Sequence, residues 1–164
     1  MKFKNLVLTL GVLMMLAFTS MAAAAPSQVN RSMTAINAAK AEISAVCELV
    51  GYNVDGDTSI ITFKDPNTLE RYVVDVNTAT AKVQEIEVKG ATFVMGSTMV
   101  TKTPDDIEKI VLKNYPNAYE IVITQGQDGN NIYYIADFLT DKFDGELKLD
   151  PVTGAICERE LEYF

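Results

Sequence analysis

The groups in this 164-residue chain that stand out for covalent, redox or metal chemistry are two cysteines, Cys47 and Cys157, and a set of carboxylates, with Lys-based or Tyr-based chemistry also open. Histidine is absent, which removes Ser–His and Cys–His nucleophile pairs and imidazole-based zinc sites. Cys47 and Cys157 could form a disulfide in an oxidising compartment, closing a loop of about 110 residues and contributing ~4–5 kcal/mol through chain entropy. Two separate buried thiols are the alternative, because a free Cys packs as a small apolar side chain. Asp55-Gly56-Asp57 with Asp65 could form a calcium loop. The spacing lacks the acidic ladder and closing Glu of an EF-hand, however, and Asp-Gly is a strong hairpin signal in its own right. Glu85, Glu87, Glu158, Glu160 and Glu162 alternate along two segments. Facing carboxylates can serve as acid and base in glycoside hydrolysis, but they need a cleft and unlike environments. Alternation on an exposed strand accounts for the same pattern. No residue is assigned as catalytic, metal-binding or cofactor-binding, and the chain reads as a non-enzyme that needs no cofactor.

These residues have to be positioned by elements that the apolar pattern predicts. Val29, Met33, Ile36, Ala39 or Lys40, and Ile43 recur at helical spacing over 29–43. Val46 to Asn53 and Ser59 to Lys64 flank Asp55-Gly56 as a hairpin, although a helix running on through Cys47 to a Gly51 cap competes for the first of these. Strands are expected at Arg71 to Val76 and Ala81 to Val88, separated by the Asn77–Thr80 turn. Gly90 to Lys102 is low in charge and carries Phe93-Val94-Met95, so it should pack, and it could extend the preceding strand. Thr103 (N-cap), Pro104 (first position), Asp105 and Asp106 open a second helix, which buries Ile107, Ile110 and Val111 and ends at Asn114-Tyr115-Pro116. Four more strands follow: Ala118 to Gln125, Asn131 to Phe138, Gly145 to Leu149 and Ala155 to Tyr163. Of the seven tyrosines, adjacent Tyr133 and Tyr134 must point to opposite sheet faces.

Residues 1–25 read as an export signal. Lys2 and Lys4 precede the apolar run Leu6 to Phe18, and Ser20 to Ala25 form a small-residue cleavage zone with the cut placed after Ala24. The run is short for a membrane span, which takes ~20 residues; an uncleaved anchor is the alternative. Losing the two lysines moves the net charge from −8 to −10. That acidity disfavours nucleic acid and anionic membranes and favours a basic protein partner. The protein is expected to be secreted or periplasmic, with no stable membrane insertion after cleavage.

The chain also repeats itself at an offset of 73 residues. Asp55-Gly56-Asp57 lies over Asp128-Gly129-Asn130, and Val76 to Val83 over Leu149 to Ile156. Each copy reads as one helix followed by about four antiparallel strands, so an α+β fold of two tandem units is expected. The units are 26–90 and 103–164, with 91–102 connecting them. This unit and its closing Asp150-Pro151-Val152-Thr153-Gly154 turn resemble the PepSY domain, an exported family whose typical members close with Asp-x-x-Thr-Gly. The first copy keeps only Thr80 of that signature, with Asn77 and Ala81 replacing Asp and Gly. PepSY domains are in turn similar in fold to the halves of the β-lactamase inhibitory protein. The resemblance implies a non-enzymatic binding module that restrains an extracellular peptidase or another envelope enzyme, using the sheet faces or the two Asp-Gly hairpins. A small-ligand or cell-wall-binding protein with a groove between the copies is the alternative.

Overall fold

A computed structural model describes residues 28–90 and 95–164. The leader, its cleavage point and the Phe93-Val94 pair lie outside the described residues. Helix α1 (Gln28–Glu42) is followed by β1 (Glu48–Asp55), β2 (Thr58–Lys64), β3 (Arg71–Asn77) and β4 (Val83–Lys89). Helix α2 (Pro104–Asn114) is followed by β5 (Tyr119–Asp128), β6 (Asn131–Leu139), β7 (Phe143–Leu149) and β8 (Ile156–Tyr163). Residues 46–51 therefore do not continue α1.

The eight strands among the described residues form one antiparallel sheet in the order β1-β2-β3-β4-β8-β7-β6-β5. The join between the halves is the β4–β8 pairing, with Ile86 opposite Leu161 and Val88 opposite Arg159. β4 itself ends at Lys89. Residues 95–102 instead pack on the second half. Ser97 exchanges backbone hydrogen bonds with Ile132 and donates its hydroxyl to Asp150 Oδ2 at 2.6 Å. The N–H groups of Thr101 and Lys102 donate to Pro151 O, and the Tyr134 hydroxyl donates to Lys102 O.

Residues directly opposite in antiparallel strands share a face. The row Ile61–Val74–Ile86–Leu161–Gly145–Phe138 therefore marks one face across six strands. Both helices lie on it. Ala35 and Ala39 of α1 pack with Ile61, Phe63, Val74 and Val76; Ile107 and Val111 of α2 pack with Tyr134, Ala136, Phe138, Leu147 and Leu149. Leu161 packs against both clusters and fuses them.

The α2 expectations are met in detail. Asp106 N–H donates to Thr103 Oγ1 and Thr103 N–H donates to Asp106 Oδ2, a reciprocal capping box. For α1 the expected stripe is corrected in part: Ile36, Ala39 and Ile43 pack with the first core, and Val29 and Met33 do not. Val29 is 71% and Met33 56% exposed, and the sheet-facing residues are Ala35 and Ala39. At about 100° per residue, Ile36 and Ile43 lie roughly 40° to 100° around the helix from these alanines, at the margin of the buried face, and Val29 about 80° to 120°. The small residues face the sheet because they let the helix sit close to it.

Three turns share one geometry. Asp150 Oδ1 accepts from the N–H groups of Val152 and Thr153 and the Thr153 hydroxyl, and Gly154 stands at φ +75°. Asn77 Oδ1 accepts the equivalent three bonds from Ala79, Thr80 and the Thr80 hydroxyl, with Ala81 at φ +56°. Asp65 Oδ1 caps Asn67 and Thr68, with Leu69 at φ +62°. The altered signature of the first half thus keeps the turn and places Ala81 in the left-handed region. Gly154 has a further constraint. A Cβ there would fall 2.5 Å from Ile110 Cδ1 and 2.6 Å from Lys102 Cε.

Ala81→Gly should therefore stabilise the protein by about 0.5 kcal/mol, the relieved left-handed strain of ~1 kcal/mol less the added freedom of the unfolded chain. Gly154→Ala should destabilise it by roughly 1 kcal/mol, chiefly through left-handed strain at φ +75°, because the Ile110 and Lys102 tips can move aside. Urea unfolding measures both, and equal effects of the two substitutions would contradict this account.

Candidate functional site

The sheet face opposite the helices is where this chain gathers its charge. Three rows of directly paired residues cross it. Asp75, Glu85, Glu162 and Asp144 form one row, and Val73, Glu87, Glu160, Glu146 and Asp137 the next. Arg71, Lys89, Glu158 and Lys148 form the third. In the first two rows, Val73 apart, carboxylate stands opposite carboxylate from strand to strand, an arrangement that destabilises a sheet. The third row supplies partial compensation. Lys148 Nζ reaches Glu158 at 3.3 Å and Glu146 at 3.4 Å, and Lys89 pairs with Glu87.

The electrostatics follow from this layout. Burial raises the carboxyl of Glu85 above its ordinary range, and Glu160, Asp75, Glu162 and Glu87 add repulsion. Burial likewise raises Glu160, with Glu146, Glu162 and Glu87 adding to it. Asp75 is raised by burial and Glu87; Asp137 by burial, Glu146 and Asp144. Burial pulls Lys148 down, but Glu158 and Glu146 outweigh it and hold the ammonium above its usual range. The carboxyls of Asp75, Glu85, Asp137 and Glu160 on this face are all shifted upward. An acid–base pair needs environments that drive two groups apart, and that contrast is missing here. The hollow among Asp137, Asp144, Gly145, Glu146, Glu160 and Glu162 is shallow and open, about 170 Å³. Among the described residues, no group of three or more Cys, Asp or Glu side chains is placed to hold a metal ion.

Other candidate residues are dispersed. Asp55-Gly56-Asp57 turns β1 into β2, and Asp128-Gly129-Asn130 turns β5 into β6. These hairpins sit at opposite edges of the sheet and, by the register, at opposite ends of the strands. They cannot act as one two-pronged contact. Asp65 lies at the far end of β2 from Asp57, about 25 Å along an extended strand, so the calcium reading lacks convergent ligands. Tyr134 is buried beneath α2, while Tyr133 lies half-exposed on the other face against Gly126.

The possible Cys47–Cys157 disulfide is also corrected, because both thiols are free. Cys47 leads into β1 and Cys157 stands on β8, four strand spacings away, or about 19 Å, whereas a bridge needs Cα atoms within about 7 Å. Burial pushes both thiols up, so neither is an activated nucleophile.

Sequence reasoning missed Arg159. It projects from β8 to the helix-bearing side and donates from Nη2 to Glu70 Oε1 at 2.8 Å. Glu70 Oε2 accepts from the Tyr72 and Thr68 hydroxyls. The available signal was a lone cation set between Glu158 and Glu160, but its partner lies 89 residues away in the chain.

No protein-family model matches the chain, and no curated protein matches it. Membership of the PepSY family is therefore not established. Two solved structures are similar. A candidate lipoprotein from Clostridium difficile 630 is 18% identical, with 78% of this chain and 90% of that one covered and a TM-score of 0.32. A BLIP-like protein from Bacteroides fragilis NCTC 9343 is 11% identical, with 79% and 85% covered and a TM-score of 0.33.

The raised carboxyls set a sign for the pH dependence of stability. Each binds its proton more tightly in the folded chain, so its stabilising contribution is full below the ordinary carboxylate range. That contribution is lost as pH rises through the raised value. Asp106 and Asp150 are lowered. Thr103 hydrogen bonds outweigh desolvation at Asp106, and the bonds from Ser97, Thr153 and Val152 outweigh burial at Asp150. Their contribution is lost on acidification. The thermal midpoint should rise from pH 7 toward about pH 5 and fall again below about pH 4. Glu160→Gln should raise it at pH 7 by about 2 °C, corresponding to ~0.5 kcal/mol of relieved cross-strand repulsion. A wild-type midpoint that peaks at pH 7 would refute this assignment.

Proposed function

We propose that this chain is a secreted, non-enzymatic binding module whose acidic sheet face docks on a basic surface of a partner protein. One observation carries the reading. The β4–β8 seam sets Glu85 against Glu162 and Glu87 against Glu160 on the face opposite both helices. The fold tolerates this repulsion in the free protein, and a partner offering Lys and Arg groups relieves it on binding. Complementary charge of this kind speeds encounter and rejects acidic competitors.

In this reading the two helix-plus-four-strand halves are copies of one PepSY-like unit. Strand starts support it, since β2 and β6 begin at Thr58 and Asn131, and β4 and β8 at Val83 and Ile156, both 73 residues apart. The PepSY-like closing turn directs the choice of partner to an exported enzyme, with an extracellular peptidase the first to test. The signal-like segment supports export with cleavage after Ala24. Among the described residues no helix is long and apolar enough to cross a membrane. The alternative of a ligand groove between the copies has less behind it. The halves meet through paired strands, with Leu161 shared by both cores, and cavities of about 290 Å³ at Tyr115–Phe143 and 300 Å³ at Tyr52–Thr78 lie elsewhere.

The test is affinity capture of exported proteins from the source organism on the immobilised mature chain, with the eluate assayed for peptidase activity. A specific protein should be retained at about 50 mM salt and released steeply as salt rises, because exposed charge contacts are screened. The triple variant Glu87→Gln, Glu146→Gln, Glu160→Gln should lose it, while Glu108→Gln on α2 should keep it. Retention that ignores both salt and the triple variant rejects the proposal.

A further inference from the structure

The two edge strands are covered differently. Helix α2 packs over β5 and β6, whereas α1 packs over β2 and β3, one strand further in. Ile121 and Ile123 of β5 are accordingly half-buried against the second core. On β1 every residue except Gly51 is exposed. Leu49 pairs with Phe63, Tyr52 with Ile61, and Val54 with Ser59, so these three side chains point to the helix-bearing side. They remain 43%, 37% and 47% exposed there. A cavity of about 300 Å³ beside α1 is lined in part by Ser32, Tyr52 and Val54. Ser32 lies on the same flank of α1 as the exposed Val29, so an exposed apolar side chain borders this edge.

We propose that β1 receives an extended segment of a partner protein as a ninth strand, with alternate apolar side chains entering the groove between β1 and α1 and basic residues flanking them. Main-chain hydrogen bonds to an exposed edge would give the affinity, and the groove would select the side chains. β1 is suited to this because Gly51 to Asp55 run in regular register beyond the bulge at Val50. Charge names the occupant. Glu48 and Asp55 stand at the two ends of the strand, so an incoming strand meets a carboxylate at each end. A second copy of this chain is disfavoured. Full antiparallel self-pairing sets Glu48 of one molecule against Asp55 of the other, twice, in a chain already at −8. The site lies at the sheet's edge, apart from the open acidic face, and does not depend on how that face is used.

The experiment uses a ten-residue peptide of alternating valine and threonine with two lysines at each end, titrated against the mature chain by fluorescence anisotropy. Hydrogen exchange is followed at residues 49–55. Binding should saturate, slow exchange across those amides, and weaken about tenfold in Val54→Lys. Val122→Lys on β5 should leave it unchanged. N-methylation of the peptide along its pairing edge should abolish it, which separates strand addition from apolar adhesion. Absence of saturable binding, or equal loss in the two lysine variants, overturns the proposal. A concentration-dependent dimer that Val54→Lys dissolves overturns it in favour of self-association.

Discussion

The β4–β8 seam is the constraint on which the other features depend. Its helix-facing side is favourable: Ile86 meets Leu161, Leu161 belongs to both cores, and Arg159 ties into the Glu70 hydrogen bonds. Its opposite side brings carboxylates together in two successive rows. Both arise from one register. Apolar residues in β4 and β8 alternate with acids, so aligning the apolar positions necessarily aligns the acids. A one-residue slip would bury glutamates and expose Ile86 and Leu161. The acidic face is thus geometrically coupled to the interior that unites the halves, and charge cannot be removed from the seam by sliding the strands.

Local features of the chain were legible. The Thr103–Asp106 capping box, the two Asp-Gly hairpins and the eight strands follow from short-range rules about caps, turns and alternation, and each lies within a few residues of its prediction. The seam was not legible. Periodicity says that Glu85 and Glu160 lie on exposed strand faces, but not that those strands are neighbours. That fact depends on contacts between residues more than 70 positions apart. Arg159 was overlooked for the same reason, because Glu70 gives no local hint of it. The face of α1 was legible in part: Ile36, Ala39 and Ile43 pack on the first core, whereas Val29 and Met33 stand exposed. Periodicity does not show that close approach to the sheet centres the buried face on the small residues Ala35 and Ala39.

The differences between the two halves are as informative as their common order. Gly154 sits beneath the tips of the Ile110 and Lys102 side chains, which a side chain at the second closing turn would have to push aside. The corresponding Ala81 borders an open hollow with Thr34 and Thr78, about 170 Å³ in volume. Helix α1 is shifted inward relative to α2, and this one displacement accounts for both the looser packing at the Asn77–Ala81 turn and the exposure of β1. The halves share strand order while differing in where the helix presses on the sheet.

The interior position of β8 has a consequence for how the chain matures. Strands pair as they emerge only if their neighbours already exist, and β8 is the last of the eight along the chain. Before it arrives, β1 to β4 and β5 to β7 are two incomplete sheets with four open edges between them. Its insertion leaves two. A ribosome or a translocation pore would hold the sheet in an unfinished state until residue 163 is free.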